Sequence, residues 1–307
     1  MMMWREVAGA TTQTRTRPAA VTIGTFDGVH RGHQHVLART RELADGAPVV
    51  AVTFDPHPMA VVRPEHEPRK LTTLERRVEL LHEHGADEVR VLAFSTEMSG
   101  WSPEEFVERV LADQLHSGVV VVGEKFRFGH KAAGDVAFLA RAGEGHGFTA
   151  VGLPLVGDGE ILSSTRVRAH VAAGELREAA EVLGRPHEVS GVVTRGEQRG
   201  RELGFPTANV PVDESYAVPP DGVYAGWVVA GQRLPAAISI GTNPTFDGVE
   251  RRVESYVLDR TDLNLYDQVI RVELVEHLRG MVKFEGIDAL IETMNGDVEK
   301  TRVILEL

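Results

Sequence analysis

Two domains of different texture are predicted by this sequence: an α/β domain built on a parallel sheet with helices on both faces, then a small antiparallel β-barrel with a C-terminal helix. Three observations predict it. The chain is 307 residues long, about twice an ordinary domain. Short Val-rich runs alternate with segments of helical period up to about residue 185, and unbroken apolar strands separated by helices belong to parallel sheets covered on both sides. Beyond Gly184-Arg185-Pro186, a helix stop, the pattern changes to short alternating strands between Gly and Pro turns.

In chain order, the expected strands of the first domain are Val21 to Ile23, Val49 to Phe54, Val89 to Phe94, Val119 to Val122 and Phe148 to Leu155. Between them, apolar residues at spacings of three and four predict helices over Gln34 to Leu43, Leu74 to His84, Pro103 to Leu115 and Val136 to Arg141. Thr165 to Ala173 and Glu175 to Leu183 are two more helices. The expected boundary follows them, giving domains 1–185 and 186–307. Val189 to Thr194, Val223 to Val229, Ala236 to Ile240, Val253 to Leu258 and Val269 to Val275 are the barrel strands. Ile287, Leu290, Ile291, Met294 and Val298 share one face of the closing helix.

Composition narrows the function classes. Hydrophobic residues at 42% and charged residues at 25% are ordinary globular usage, which excludes a largely disordered chain. With no cysteine there is no thiolate nucleophile, disulfide or cysteine-ligated metal. A net charge of -12 disfavours non-specific binding to nucleic acid or anionic membranes. The N-terminus shows no signal-peptide core and no apolar run is long enough to span a bilayer, so a cytoplasmic protein is expected.

The first chemical constellation follows the first strand: Gly24-Thr25-Phe26-Asp27-Gly28-Val29-His30-Arg31-Gly32-His33. Glycines at a strand-to-helix junction let backbone approach a phosphate, and the helix start presents unpaired amides to it. His30 and His33 stand one helical turn apart and can stabilise charge on a phosphorus in flight. Two histidines at the start of a surface helix would be the plainer explanation. Ser163-Ser164-Thr165-Arg166-Val167-Arg168 is a second element, either a helix N-cap or a set of phosphate donors.

The barrel opens with Gly191, Gly196, Gly200, Arg201 and Gly204, then Phe205-Pro206-Thr207-Ala208-Asn209. The glycine-rich stretch can wrap a nucleotide, but no Gly-Lys-Ser/Thr ending follows, so a kinase here is not of the P-loop type. Thr207 and Asn209 are two apart on an expected strand, so their oxygens face one side and could hold a metal ion and a phosphate.

These residues resemble a family. The His-x-Gly-His turn and the Ser-Ser-Thr-x-x-Arg element are similar to those of adenylyl-transferring nucleotidyltransferases. Thr53-Phe54-Asp55-Pro56-His57-Pro58, Leu71-Thr72-Thr73-Leu74, Ser102-Pro103-Glu104-Glu105-Phe106 and the stretch from Gly123 to Asp135 resemble the FMN adenylyltransferase half of the prokaryotic bifunctional riboflavin kinase and FAD synthetase. Phe205 to Asn209, Pro220 to Ala225, Gly241 to Phe246 and Val253-Glu254-Ser255-Tyr256 resemble its riboflavin kinase half. The resemblance implies a Rossmann-like nucleotidyltransferase domain followed by a riboflavin kinase barrel. It implies phosphorylation of riboflavin to FMN by ATP in the barrel, and adenylylation of FMN to FAD with release of diphosphate in the first domain, both with Mg2+.

By the same resemblance Gly24, Phe26, Asp27, His30, His33, Ser164, Thr165 and Arg168 would bind the ATP of the adenylyl step, with His30 and His33 catalytic. Gly191, Gly196, Gly200, Arg201, Thr207 and Asn209 would bind the ATP of the kinase step, with Thr207 and Asn209 on the metal. Phe54, Pro56, Pro58, Phe126, Phe128, Gly129, Asp135 and Asn243 would contact flavin. The riboflavin hydroxyl must lose a proton, and Glu254 is the implied base. Flavoproteins are possible recipients of the products.

Two positions depart from the family pattern. Lys125 replaces the usual Asn or Asp before Phe126, which raises the alternative of a working kinase with impaired adenylyl transfer. Asp267 replaces the glycine of a Leu-Tyr-Gly turn, a benign change because Asp tolerates left-handed backbone. A flavin-binding regulator without turnover would be expected to lose its catalytic positions, yet His30, His33, Thr207, Asn209 and Glu254 are all present.

Overall fold

The computed structural model describes residues 3–12, 14–157, 160–195, 204–245 and 248–307; the side chains of 243–245 and 248–250 lie outside that description. The chain forms two compact units, Met1–Pro68 with Thr73–Ser163, and Arg69–Thr72 with Ser164–Leu307.

In the first unit, β1 (Ala19–Ile23), β2 (Val49–Asp55), β3 (Glu88–Ala93), β4 (Ser117–Gly123) and β5 (Thr149–Leu153) form a parallel sheet in the order β3-β2-β1-β4-β5. Burial on both faces explains the unbroken Val runs. On β2, Val50, Val52 and Phe54 enter one core with Ile23, Leu111 and Val122, while Ala51 enters the opposite core with Leu37, Leu81 and Val91. The covering helices are α1 (Arg31–Leu43), α2 (Pro58–Val62), α3 (Leu74–Glu83), α4 (Thr96–Ser99), α5 (Pro103–Phe106) and α6 (Val136–His146). The helix expected over 103–115 is only one α-turn long. Ser102 and Glu105 start it with a reciprocal capping box, and a wider π-helical stretch over Val107–Ala112 continues it. Because β1 lies between β2 and β4, the chain reverses its winding direction there, and the crevice beyond the carboxyl ends of β1 and β4 is where such sheets bind ligands.

The second unit begins with α7 (Ser164–Ala173) and α8 (Leu176–Leu183). Leu176 of α8 joins the barrel core, and Arg177 pairs with Glu276. The strands β6 (His187–Val192), β7 (Thr207–Pro211), β8 (Gly222–Ala230), β9 (Gln232–Thr245), β10 (Gly248–Val257) and β11 (Val269–Arg279) form an antiparallel sheet in the order β6-β11-β8-β9-β10-β7. Its two ends meet: Thr194, just past β6, donates its backbone N–H to Asn209 O of β7 at 2.8 Å. The curled sheet encloses Val210, Ile238, Ile240, Val253, Ile270 and Val272, each burial contributing roughly 1.5–3 kcal/mol. Gly191 is needed for this closure, since a Cβ there would sit 2.5 Å from Val210 Cγ1.

Two features of this unit go beyond the sequence reading. Residues Arg69–Thr72, far upstream, are built into it: Lys70 donates its N–H to Ser215 O at 2.7 Å and accepts from Ala217 N–H at 2.8 Å, with Leu71 and Thr72 buried. The closing helix, α9 (Ile287–Ile304), buries its apolar face only in part, and Ile287 is 61% exposed. It is pinned instead by Asp297, which is buried and accepts from Arg279 Nη2 at 2.7 Å and Nε at 3.1 Å. Removing one partner of such a buried pair costs about 3–5 kcal/mol.

Candidate functional sites

In the first unit the turn between β1 and α1 is held in an uncommon conformation. Phe26, Gly28 and Val29 have φ of 49°, 81° and 38°. Left-handed backbone at a Phe and at a β-branched residue is costly, and such strain collects at ligand sites. Burial of Phe26 and Val29 holds it in place. Gly24 lies under the Phe26 ring, where a Cβ would come within 3.2 Å of it.

His30 is the N-cap residue of α1, so the first N–H groups of that helix lack carbonyl partners within it and face the turn. Gly32 leaves space for the His30 ring, which would stand 3.0 Å from a Cβ at that position. The ring stacks on His33 with centroids 3.6 Å apart, and Phe26 meets the other side of His33 edge-on at 5.1 Å. A side chain in place of the glycine inside His-x-Gly-His would thus press on the stacked pair and push the His30 ring by a few tenths of an ångström. His33 Nδ1 is buried without a hydrogen-bond partner among the described residues. Burial, then the neighbouring His30 and Arg77, push the His33 pKa well below the ordinary 6.5, so the imidazole is neutral at physiological pH. Asp27 is buried in the same turn.

The proposed flavin residues divide. Phe54 is in the core, edge-on to Phe94 at 5.9 Å, and is followed by a cis Asp55–Pro56 bond and by Pro58 at the start of α2. Phe128 is also in the core, while Phe126 lies half-buried and parallel to it at 5.6 Å. Gly134 makes room for the Phe128 ring, 2.7 Å from where its Cβ would be, and Gly129, at φ 70°, passes over Pro103. Asp135 accepts the Phe138 N–H at 2.8 Å as the N-cap of α6. Lys125 is exposed. Ser164, Thr165 and Arg168 begin α7 and are described with the second unit, where Arg168 Nε donates to Arg69 O at 2.6 Å.

In the barrel, Thr207 and Asn209 do share one side of β7, and Asn209 Nδ2 lies 3.3 Å from Thr207 Oγ1. The antiparallel register sets Glu254 of β10 directly opposite Asn209, and Tyr256 opposite Thr207. Paired residues project to the same face, so a carboxylate, an amide and a hydroxyl converge. A pocket adjoins them, lined by Val193, Thr207, Asn209, Val257, Leu263 and Tyr266 among others. Hydroxyl and amide oxygens are hard donors of the kind Mg2+ takes. No group of three or more His, Asp or Glu placed to hold a metal ion occurs among the described residues. Gly196, Gly200, Arg201 and the Asn243 side chain lie outside the described residues.

Comparison with known proteins matches both parts of the chain. A family profile for FAD synthetase matches residues 12–166, and one for riboflavin kinase matches 183–305. A bifunctional riboflavin kinase/FMN adenylyltransferase of Pseudomonas fluorescens is 39% identical over 94% of this chain and 93% of its own length. The chain belongs to the bifunctional riboflavin kinase/FMN adenylyltransferase family. A second member, from Listeria monocytogenes, is 36% identical over 92% of this chain and 91% of its own. A crystal structure described as a macrolide-efflux protein from Streptococcus pneumoniae superposes with a TM-score of 0.84 at 30% identity, covering 94% of this chain and 95% of that one. No described helix of the present family member is long and apolar enough to cross a membrane.

Sequence reasoning missed two contributors. Arg77, buried on α3, weighs on His33, and nothing in its helical spacing marks it. Leu263, on the pocket wall, is an apolar residue with no local mark of a site.

Proposed function

We propose that the two activities of this riboflavin kinase and FMN adenylyltransferase divide along the chain, with residues 186–307 phosphorylating riboflavin and residues 1–185 adenylylating FMN. The observation that carries the kinase assignment is Glu254 opposite Asn209 with Thr207 beside it. Glu254 takes the proton of the riboflavin 5′-hydroxyl as its oxygen attacks the ATP γ-phosphorus, and ADP leaves. Thr207 and Asn209 are the ligands this chain would offer Mg2+, which neutralises phosphate charge when bound. The pocket walled by Leu263 and Tyr266 suits the adenine of ATP.

In the adenylyl step the nucleophile is the FMN phosphate, already an anion, so no base is needed. Its oxygen attacks the ATP α-phosphorus and diphosphate leaves. The chain must align the groups and balance developing charge. The α1 amides and neutral His33 donate hydrogen bonds to phosphate oxygens, and His30 orients His33 by stacking. Ser164, Thr165 and Arg168 are proposed phosphate ligands on their likeness to the family motif. Phe54, Pro56, Pro58, Phe126, Phe128 and Gly129 would shape the flavin site, with half-buried Phe126 the member offering a ring face. A cytoplasmic location and delivery of FMN and FAD to flavoproteins complete the reading.

The test is product chromatography of the purified chain given Mg-ATP with riboflavin, and separately with FMN. FMN from the first and FAD from the second are expected. FMN without any FAD from added FMN would reject the adenylyl half and favour the kinase-only alternative raised by Lys125.

A further inference from the structure

Arg77 is a basic side chain in the first turn of α3 and only 4% exposed. A guanidinium cannot discharge itself in a protein, so burying one is costly unless its hydrogen bonds are placed. Its Nη1 donates to the Phe54 carbonyl at 3.1 Å and to Thr53 Oγ1 at 3.3 Å, both at the carboxyl end of β2. Thr53 Oγ1 donates in turn to Thr25 O at 2.9 Å, inside the strained turn that leads to His30. The Thr53 hydroxyl therefore has a fixed direction: it accepts from the cation and gives to the turn. Such chained bonds polarise one another. Arg76, its neighbour, is bonded to Glu79 and Glu83 of its own helix.

We infer that Arg77 is a positioning residue for adenylyl transfer, holding the Gly24–His33 turn through Thr53 and supplying a fixed positive charge behind it. The inference rests on the proposed adenylyl site. Two consequences follow. The turn carries the backbone that must approach the nucleotide phosphates, and its uncommon dihedrals need an external restraint of this kind. The charge also weighs on His33, which is faced by His30 from the start of its own helix, by the Phe26 ring and by Arg77 from α3. It adds to burial and to His30 in disfavouring the imidazolium.

The test uses the full chain with Arg77→Gln, Arg77→Lys and Thr53→Val, measuring FAD formation from FMN and FMN formation from riboflavin on the same preparations. Kinase activity, assigned to residues 186–307, is expected to stay at the wild-type level, and thermal melting with near-UV circular dichroism of each preparation reports the folding of the unit that holds Arg77 and Thr53. FAD formation should fall in kcat by about tenfold or more in Arg77→Gln and by less in Thr53→Val, with KM for FMN little changed, and Arg77→Lys should recover part of the loss. Histidine NMR should show the His33 pKa rising in Arg77→Gln but not in Thr53→Val, which keeps the charge and loses the tether. A kcat within about threefold of wild type in Arg77→Gln would overturn the inference. If Arg77→Gln fails to fold, Thr53→Val decides: reduced FAD formation with an unchanged melting curve supports the tether, and unchanged FAD formation overturns it. Absence of FAD formation by the wild type would instead remove the underlying adenylyl assignment.

Discussion

The two proposed sites would solve the same problem, holding an ATP against a flavin, with opposite kinds of backbone. The first is assembled along the chain: one turn of ten residues at the end of a parallel strand supplies the glycines, the stacked His30 and His33, and a helix start. The second is assembled across the chain, by an antiparallel register that sets Glu254 beside Asn209 from strands separated by β8 and β9 in sequence. A local site is defined by turn conformation, so it is sensitive to sterics within the turn. A cross-strand site is defined by pairing, so it tolerates such changes and is sensitive to the identity of one carboxylate.

The sharpest way to break this comparison is Glu254→Gln. The substitution keeps the size and the strand pairing but removes the proposed base, so riboflavin phosphorylation should fall by about 10²–10⁴-fold. FAD formation from added FMN should continue at the wild-type rate. A Gln variant that still phosphorylates riboflavin would show that the cross-strand carboxylate is not the proton acceptor. His33→Ala is the reciprocal change, expected to lower FAD formation by about 10²-fold and leave the kinase intact. Equal losses in both reactions would show that the two sites are not independent.

This contrast also explains what could be read from the residues alone. The parallel sheet was legible because both its faces are buried, which writes continuous Val runs such as Val49 to Val52. The His-x-Gly-His turn was legible because its parts are adjacent in sequence. Glu254 carries no local mark, and it entered only by family likeness, because register is a long-range property. Arg77 was invisible for a related reason: on a helix it looks like any surface cation, and only the packing of α3 shows it buried. The 69–72 segment, paired with 215–217, depends on contacts that no local pattern announces.

A smaller effect separates structural from flavin-contacting roles in the local site. Asp135 caps α6, so Asp135→Ala should cost about 1 kcal/mol and lower Tm by a few degrees. Asp135→Asn retains a capping oxygen and should melt close to wild type. A raised KM for FMN in the Asn variant, without loss of stability, would give the carboxylate a role in binding beyond the cap.

The smallest effect is a difference in pH response between the two units. His33 has a folded pKa below its unfolded value of about 6.5, so in that window the unfolded chain binds more protons and stability falls as the pH drops. Above it the His33 contribution is constant. Tyr224, a buried titrating ring of the barrel, has no such pH response. Burial raises the Tyr224 phenol to about 12, and its hydroxyl donates to Pro220 O at 2.6 Å, so it stays neutral from pH 5 to 8 and adds no slope there. Melting wild type and His33→Gln between pH 7.5 and 5.5 isolates the histidine. The wild-type Tm should drop further than that of the variant, by at most a few degrees, with the excess confined to the acid side. Parallel curves would mean that His33 protonates as readily in the folded turn as in the unfolded chain, and that burial against Phe26, His30 and Arg77 does not hold it neutral.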